Sequence, residues 1–329
     1  MSILVTGGAG YIGSHMVLRL CDAGADVVVL DNLSTGFEWA VDKRARLVRG
    51  DVGDAELTRR VMAENRVEAV VHFAASIVVP DSVADPLGYY RNNTASARTL
   101  IESAVRAGVG RFVFSSTAAV YGMAGLDPVA EDAPLEPMSP YGRSKRMVEL
   151  MLADVAAAHG LKVGILRYFN VAGADPAGRS GQSTPKATHL IKTAIEAATG
   201  QRDGLAIFGT DYETPDGTGV RDYIHVSDLV EAHALLLDHL AKSPAAAPVT
   251  LNAGYGHGSS VREVIRMVEK VAGHPLKVRE EPRRPGDPAS VVAKSDRLRQ
   301  LLGWTPIYDD LETIVGHALA WERRRLAAR

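Results

Sequence analysis

The feature that most constrains the fold is a glycine-rich segment near the start of the chain. GGAGYIG, beginning at Gly7, follows an apolar run typical of a buried strand and precedes a pattern with helical spacing. Gly7 permits a tight turn, Gly10 lets backbone approach a pyrophosphate, and Gly13 lets the helix pack closely on the strand. The helix N-terminus then offers N–H groups and a partial positive charge to phosphates. The segment predicts a dinucleotide site, to which Tyr11 and Ile12 also belong.

The second half of such a site follows at the end of the next predicted strand. Residues 26–30 have a strand pattern, and Asp31 and Asn32 come directly after it, with Asp31 18 residues beyond Gly13. A carboxylate at this point accepts hydrogen bonds from the adenosine ribose and repels a 2'-phosphate. The sequence therefore predicts NAD, in preference to NADP, as the cofactor.

Strand and helix patterns continue to alternate between residues 46 and 115. This alternation predicts an α/β fold with a Rossmann-type doubly wound parallel sheet, built by right-handed crossovers. Ligands of such sheets lie beyond the carboxyl ends of the strands. The residues predicted to contact the cofactor there are Asp51, Val52, Phe73, Ala74, Ala75 and Ser115. Asn92 or Asn93, on a predicted helix over residues 88–107, is expected to brace the site; we assign Asn92.

The length of 329 residues suits about two domains. We expect the NAD-binding Rossmann domain to occupy residues 1–175. Residues 176–329 are expected to form mainly a smaller C-terminal α/β domain for the substrate. A part of that stretch, about residues 220–252, is expected to return to the Rossmann domain.

A phenol and an ammonium lie four residues apart at the opening of a predicted helix over residues 140–159. Ser139 suits the N-cap and Pro140 suits the first helical position, so Tyr141 and Lys145 share one face of the helix. An unperturbed tyrosine, with a pKa of about 10, is a poor base near neutrality. A neighbouring lysine cation favours the phenolate, so the pair predicts a catalytic base.

Composition excludes several classes of partner. The chain has 37 basic and 39 acidic residues, intermixed, which does not favour nucleic acid or an acidic membrane surface. No apolar run approaches the ~20 residues needed to span a bilayer. The single cysteine, Cys21, implies a reducing compartment, and a strand pattern from Ile3 leaves no space for a signal peptide. We expect a cytoplasmic protein with no metal site.

Arginines in the C-terminal part indicate a second anion site. Arg221 lies in a turn-rich stretch, and Arg284 lies close to Asp287 in the sequence RRPGD. A guanidinium binds phosphate oxygens in bidentate fashion, and Asp287 is suited to a nucleoside ribose. Structural salt bridges are the alternative interpretation of both arginines.

With these residues assembled, the chain resembles the extended short-chain dehydrogenase/reductase family, and within it the branch of 4-epimerases. The resemblance covers nearly the whole chain. Its motifs are GGAGYIG, HFAA at 72–75, SSTAAVYG at 115–122, YGRSK at 141–145, RYFNVAGA at 167–174, LAIFG at 205–209, DGTGVRDYIHV at 216–226 and RRPGD at 283–287. It implies NAD-dependent epimerisation at carbon 4 of a UDP-hexose, and a homodimer formed through the helices at 88–107 and 140–159.

The resemblance also assigns roles to residues. Tyr141 would be the base, Lys145 would hold the nicotinamide ribose, and Thr117 would bind the reacting sugar hydroxyl. Tyr168 joins the residues that contact the cofactor. The residues implied to bind the UDP-sugar are Thr117, Tyr141, Asn170, His189, Leu190, Ala206, Phe208, Arg221, Tyr223, Arg284, Asp287 and Val291.

The chain departs from the family pattern at two places. Ser76 begins a segment in which many 4-epimerases have a lysine, and His189 lies where many have an asparagine. A nucleotide-sugar dehydratase would need an Asp-Glu pair after Thr117, but Ala118 and Ala119 follow it. UDP-N-acetylglucosamine and a UDP-pentose remain alternative substrates, and the small Val291 favours tolerance of an acetamido group. A nucleotide-binding protein without catalytic activity is a further alternative, which the presence of Thr117, Tyr141 and Lys145 disfavours.

Overall fold

The computed structural model describes residues 1–123, 125–185, 187–243, 247–284 and 286–327, so Pro285 of the RRPGD motif lies outside it. The chain divides into two compact units. Unit 1 comprises Met1–Gly122, Pro134–Arg167 and Val230–Leu251, and unit 2 comprises Met123–Ala133, Tyr168–Leu229 and Asn252–Arg329. The domain bounds expected from the sequence stay a prediction. Within the described ranges, no helix is both long and apolar enough to cross a bilayer.

The strands are β1 (Ser2–Thr6), β2 (Asp26–Asp31), β3 (Arg46–Arg49), β4 (Val67–His72), β5 (Arg111–Ser115), β6 (Lys162–Tyr168), β7 (Asn170–Ala172), β8 (Leu205–Phe208), β9 (Val220–Arg221), β10 (Tyr223–His225), β11 (Val249–Ala253), β12 (Ser259–Ser260), β13 (Val278–Glu281) and β14 (Ser290–Val291). The α-helices are α1 (Tyr11–Asp22), α2 (Ala55–Glu64), α3 (Val79–Ala84), α4 (Pro86–Tyr89), α5 (Ser96–Arg106), α6 (Pro140–His159), α7 (Leu190–Ala198), α8 (Val226–Lys242), α9 (Val261–Ala272), α10 (Asp296–Leu302) and α11 (Leu311–Ala327).

Unit 1 is built on a seven-stranded sheet in the order β11-β6-β5-β4-β1-β2-β3. The pairs from β3 to β6 are parallel. Val dominates the central strands because a branched side chain packs well on a pleated surface covered on both faces. Leu4, Val28 and Phe112 are almost inaccessible to solvent and pack in one core cluster with Leu152 of α6. The predicted Rossmann-type α/β fold is confirmed.

Unit 2 combines three small sheets with a helical layer. Strand β8 pairs with β13, β10 pairs with β7, and β9 lies between β12 and β14. Helices α7, α9 and α11 pack against one another. Helix α9 starts with a capping box in which Ser260 and Glu263 satisfy each other's backbone N–H groups.

Two predicted helices differ in the structure. The apolar spacing predicts a helix over residues 15–23, but α1 starts at Tyr11, because Gly10 adopts an extended N-cap conformation and the first turn contains Gly13, a poor helix former that hid the helical pattern. The predicted helix over residues 88–107 is interrupted by a π-helical turn at Tyr90–Ala95, between α4 and α5. This turn shifts the register of the side chains and leaves Asn93 buried.

Candidate active site

The glycine-rich turn of unit 1 is held in contact with the loop after β4. Gly7 has a φ of 72°, and a Cβ atom on it would lie 2.6 Å from the backbone N of Ala74. A Cβ atom on Gly13 would lie 2.1 Å from the Gly7 carbonyl oxygen. Side chains at these two positions are therefore sterically excluded, as predicted from the sequence for a tight turn and a close helix.

Helix α1 presents an uncapped N-terminus at this turn. Gly10 is the N-cap, no side chain caps it, and the first turn, which contains Tyr11 and Ile12, has no acidic residue. A Cβ atom on Gly10 would meet only the Gly7 carbonyl oxygen, at 3.3 Å. The arrangement leaves backbone N–H groups and positive dipole charge for an anion such as a pyrophosphate.

Asp31, at the carboxyl end of β2, is tied to the same turn. Its Oδ2 accepts a hydrogen bond from the Ala9 backbone N at 2.9 Å, and its Oδ1 accepts one from Leu33 at 2.8 Å. Asn32 donates to the exposed carboxylate of Asp51 at 3.0 Å. These carboxylates are fixed in place, and each retains further lone pairs for ribose or adenine groups.

The remaining predicted cofactor residues lie at or after the ends of neighbouring strands. Phe73 donates its backbone N–H to the Thr6 carbonyl at 3.0 Å, and its ring lies 4.9 Å from the His233 ring. Ala74 and Ala75 follow it and are half-buried, and Val52 is buried. Tyr168, also in the predicted cofactor set, is the last residue of β6.

The π-helical turn places two asparagines against the segment that lacks the family's lysine. Asn93 accepts a hydrogen bond from the Ser76 backbone N at 2.8 Å and donates to the Ser76 carbonyl at 2.9 Å. It also donates to the Ser144 hydroxyl of α6 at 3.1 Å. Asn92 donates to the Ser76 hydroxyl at 2.9 Å. Asn93 therefore braces the loop after β4 against α6, and Asn92 stays the predicted cofactor contact.

The start of α6 orients the Tyr-x-x-x-Lys pair. Ser139 is the N-cap and accepts a hydrogen bond from the Gly142 backbone N at 3.1 Å, and Pro140 is the first helical residue. Tyr141 and Lys145 are 7% and 3% exposed, respectively. Because they are one turn apart and both are buried, the phenol and the ammonium share one face of α6.

Lys145 is anchored to the end of β5. Its Nζ donates to the Ser115 carbonyl at 2.9 Å and lies 4.9 Å from the centre of the Phe114 ring. Burial lowers the pKa of this ammonium to about 7, although Glu149 opposes that shift. Thr117, two residues beyond Ser115, is 8% exposed, and its hydroxyl accepts a hydrogen bond from the Ala119 backbone N at 3.2 Å. All three predicted catalytic residues therefore lie in unit 1, and their roles stay a prediction.

The edge of β8 forms an aromatic surface in unit 2. Leu205 and Ile207 face the core, whereas Ala206 and Phe208 alternate with them and are half-buried. The guanidinium of Arg284 lies 3.7 Å from the centre of the Phe208 ring. An aromatic ring can stack on a planar base, and a guanidinium beside it can bind phosphate oxygens. The Phe208–Arg284 pair therefore offers both kinds of contact.

Arg221 lies in a second cluster of unit 2. Its guanidinium donates to the Asp287 carboxylate and, at 2.8 Å, to the Val220 carbonyl. The side chains of Arg221 and Asp287 are 16% and 35% exposed. Val291 pairs with Arg221 in the β14–β9 register, so the two residues occupy one side of that ladder. Tyr223, on β10, is buried.

The other predicted substrate residues lie at element boundaries of unit 2. Asn170 begins β7, and its backbone N–H bonds the Asp222 carbonyl at 3.0 Å. His189 is the N-cap of α7 without a capping hydrogen bond, and Leu190 is its first residue. The His189 Nδ1 lies 2.9 Å from Gln182 Nε2. The first turn of α7 has no acidic residue, which suits an anion.

The sequence interpretation missed one buried carboxylate on α6, the helix that carries Tyr141 and Lys145. Glu149 lies four residues after Lys145, one further helical turn along α6, and is 2% exposed. Its i+4 spacing from Lys145 was the signal available in the sequence. Glu149 accepts hydrogen bonds from Arg167 on β6, and a pairing between different elements could not be predicted from spacing.

Comparison with known proteins agrees with this geometry. A model of the NAD dependent epimerase/dehydratase family matches residues 3–254. The UDP-glucose 4-epimerase of Azospirillum brasilense is 58% identical over 321 residues, which make up 98% of this chain and 92% of that protein. The UDP-glucose 4-epimerase from Bifidobacterium longum, in complex with NAD+ and UDP, superposes with a TM-score of 0.94 at 37% identity and covers 100% of both chains.

The name of a further similar protein includes a second sugar, N-acetylglucosamine. The UDP-Glc/GlcNAc 4-epimerase from Campylobacter jejuni superposes with a TM-score of 0.86 at 46% identity, covering 98% of this chain and 99% of that one. The similarities extend over almost the whole chain and confirm the resemblance that the motifs indicated. The chain belongs to the NAD dependent epimerase/dehydratase family.

Proposed function

We propose that this chain is an NAD-dependent isomerase that inverts carbon 4 of a UDP-hexose, interconverting UDP-glucose and UDP-galactose. The observation that carries the proposal is the buried Tyr141–Lys145 pair at the capped start of α6, with Lys145 anchored to the carbonyl of Ser115. Thr117 completes the set. Relatives of 43–58% identity named UDP-glucose 4-epimerase support the choice of reaction.

The glycine-rich turn of unit 1 fits NAD. Gly7 and Gly13 leave no space for side chains, α1 has an uncapped N-terminus, and Asp31 is fixed beside them. In our proposal α1 holds the pyrophosphate, Asp31 holds the adenosine ribose and Lys145 holds the nicotinamide ribose. The bound cofactor supplies the oxidising power, accepting a hydride from carbon 4 and returning it to the opposite face.

The residues of the chain handle the proton and the substrate's orientation. Tyr141, as phenolate, removes the proton of the 4-hydroxyl and returns it after the ketone has turned. Lys145 stabilises the phenolate because its ammonium lies on the same helix face. Thr117 donates a hydrogen bond to the reacting oxygen.

The groups of unit 2 would hold UDP. Arg221 and Arg284 are suited to the diphosphate, Phe208 to the uracil face and Asp287 to its ribose. Asn170, Tyr223 and Ala206 belong to the same proposed site, as do His189 and Leu190 at the start of α7. A firm hold on UDP with a loosely held hexose lets a 4-keto sugar turn without leaving the enzyme.

The direct test is incubation of the purified protein with UDP-galactose and separation of the epimers. We expect UDP-glucose to form with no net NADH, because the reaction is redox neutral. Stoichiometric NADH would indicate a dehydrogenase, and a dehydrated 4-keto product would indicate the dehydratase alternative. The latter is disfavoured because Ala118 and Ala119 carry no proton donor.

A second substrate is favoured by the placement of Val291. It lies beside Arg221 on the β14–β9 ladder and is small, which leaves space for a 2-acetamido group. We propose that UDP-N-acetylglucosamine is also epimerised, as the name of the Campylobacter jejuni relative states for that protein. Val291→Tyr should suppress turnover of that substrate, since overpacking costs about 1–3 kcal/mol, and should spare UDP-galactose. Failure of the native enzyme to accept UDP-N-acetylglucosamine would exclude the proposal.

We also propose a homodimer through α6 and the helical stretch from α4 to α5. Leu87, Met147 and Leu150 are 78%, 42% and 49% exposed on these helices, and a partner subunit would cover them. Sedimentation at micromolar concentration should give a dimer. Leu150→Glu should shift the equilibrium towards monomer, whereas a monomeric native protein would contradict the proposal.

A further inference from the structure

A buried ionic network lies behind the catalytic residues of unit 1. Glu149, whose side chain is 1% exposed, receives two hydrogen bonds from Arg167, at 2.9 Å to Oε1 and 2.8 Å to Oε2. Arg146 donates to Oε2 at 3.1 Å. Arg167 also donates to the Tyr121 hydroxyl at 3.1 Å. One carboxylate therefore joins α6 to β6.

The same carboxylate is joined to the segment after β5, which carries Thr117. The Ser116 hydroxyl donates to Glu149 Oε1 at 2.6 Å. Ser116 lies between Ser115, whose carbonyl receives the Lys145 hydrogen bond, and Thr117. A displacement of Glu149 would consequently move both neighbours of Ser116.

The charge of Glu149 also affects the protonation of Lys145. Lys145 and Arg167 are 3% and 4% exposed, so two cations are buried near one carboxylate. Burial alone would favour a neutral Lys145, and Glu149 is the group that raises the pKa of this ammonium.

The other groups that contact or lie near Lys145 carry no negative charge that could act in place of Glu149. From β4, His72 has a pKa lowered to about 3 by burial and by Lys145, so it is neutral at physiological pH. From β5, Lys145 meets the Phe114 ring and the Ser115 carbonyl, which do not titrate. On its own helix, Tyr141 is the proposed base.

We propose that Glu149 is a positioning residue of the active site, which fixes the 115–117 segment against α6 through its hydrogen bonds to Ser116 and Arg167. The inference rests on the proposed function in that it assigns Tyr141 and Lys145 to catalysis. Glu149 touches neither substrate nor cofactor in this role. It acts through the Ser116 hydrogen bond, and its negative charge also favours the protonated form of Lys145.

The test compares Glu149→Gln with Glu149→Asp, which keeps the charge. In Glu149→Gln the alkaline limb of kcat should move to lower pH by about one unit, because an opposite charge near an ionisable group contributes at least that much. Glu149→Asp should keep the wild-type limb with a lower kcat. Glu231→Gln, which removes a carboxylate from a half-exposed ion pair with Arg19, is the matched control. It should change neither kcat nor the pH of its alkaline limb.

A readout without substrate separates this inference from the proposed function. Tyrosinate absorbance is taken for each protein as the difference from the same protein carrying Tyr141→Phe. It should appear at higher pH in Glu149→Gln, because the lost Lys145 charge is one helical turn from Tyr141 and the lost carboxylate is two turns away. If the native protein does not epimerise UDP-galactose, the proposed function fails while this titration still tests Glu149. Coincident titrations of native protein and Glu149→Gln would overturn the charge role.

Ser116→Ala keeps the inference falsifiable if Glu149→Gln does not fold. Removing this one hydrogen bond should lower kcat about three- to tenfold, with NAD content unchanged and the pH limb in place. An unchanged kcat in Ser116→Ala would overturn the positioning role.

Discussion

The two units hold their polar groups in different ways. In unit 1 two of the charged groups assigned to the cofactor and to catalysis are buried and bonded to backbone: Asp31 to Ala9 and Leu33, and Lys145 to Ser115. In unit 2 the charged groups assigned to UDP contact other side chains of the same proposed site, and they are more exposed than Asp31 and Lys145. Arg221 meets Asp287, and Arg284, which is exposed, lies over Phe208.

This difference matches two ligands with different residence times. A buried site whose groups are already oriented binds with little ordering cost, which suits a cofactor kept through many turnovers. Side chains that pair in the free state can exchange their partners for phosphate and ribose, which suits a nucleotide that leaves after each turnover. The following variants test that contrast, from the largest expected effect to the smallest.

Tyr141→Phe should show the largest loss. Removing the proton acceptor alone should lower kcat about 10²–10⁴-fold, because general acid–base catalysis contributes that factor. NAD content and UDP affinity should stay at native values, since the ring and its packing remain. Turnover within a few-fold of the native enzyme would remove Tyr141 from the mechanism.

Asp31→Ala should damage the cofactor site of unit 1. Loss of a charged acceptor costs about 1.5–3 kcal/mol, so NAD affinity should fall about ten- to a hundredfold and discrimination against NADP should relax. Cofactor retained after gel filtration is the measurement. Asp26→Ala, at the exposed opposite end of β2, is the control. Native NAD affinity in Asp31→Ala would place the ribose elsewhere.

Arg221→Ala should weaken binding of the UDP-sugar at unit 2 and leave binding of NAD at unit 1 unchanged. KM for the UDP-sugar should rise about tenfold or more, because a largely buried guanidinium is lost. NAD content should not change. Arg279→Ala, which removes an exposed arginine on β13, is the matched control. A loss of NAD in Arg221→Ala would contradict the proposal that unit 1 binds NAD without help from Arg221.

Arg284→Ala should have the smallest effect. Because its guanidinium is exposed, its ionic contribution is at most about 1 kcal/mol, or roughly a fivefold rise in KM. Isothermal titration with UDP alone should report the same change as the KM. A rise as large as that of Arg221→Ala would indicate that Arg284 becomes buried on binding.

Local features of the sequence predicted much of unit 1. The glycine spacing, Asp31 at the end of β2 and the Ser139–Pro140 start of α6 are all encoded within a few consecutive residues. Steric limits on glycine and the preferences of capping residues act over that range, so they can be read directly. Assigning the individual site residues to their ligands stays a prediction that the variants above test.

Pairings between distant residues were decided only by the tertiary structure. The Arg221–Asp287 pair spans 66 positions, and Glu149 reaches Arg167 and Ser116 in two other elements. The π-helical turn at Tyr90–Ala95 interrupts a stretch that local pattern predicted as one helix, and there Asn93 bonds Ser76 and Ser144. Sequence spacing specifies which side chains share a face of one element. Which faces meet depends on packing of the whole chain, because burial and hydrogen bonding are satisfied together.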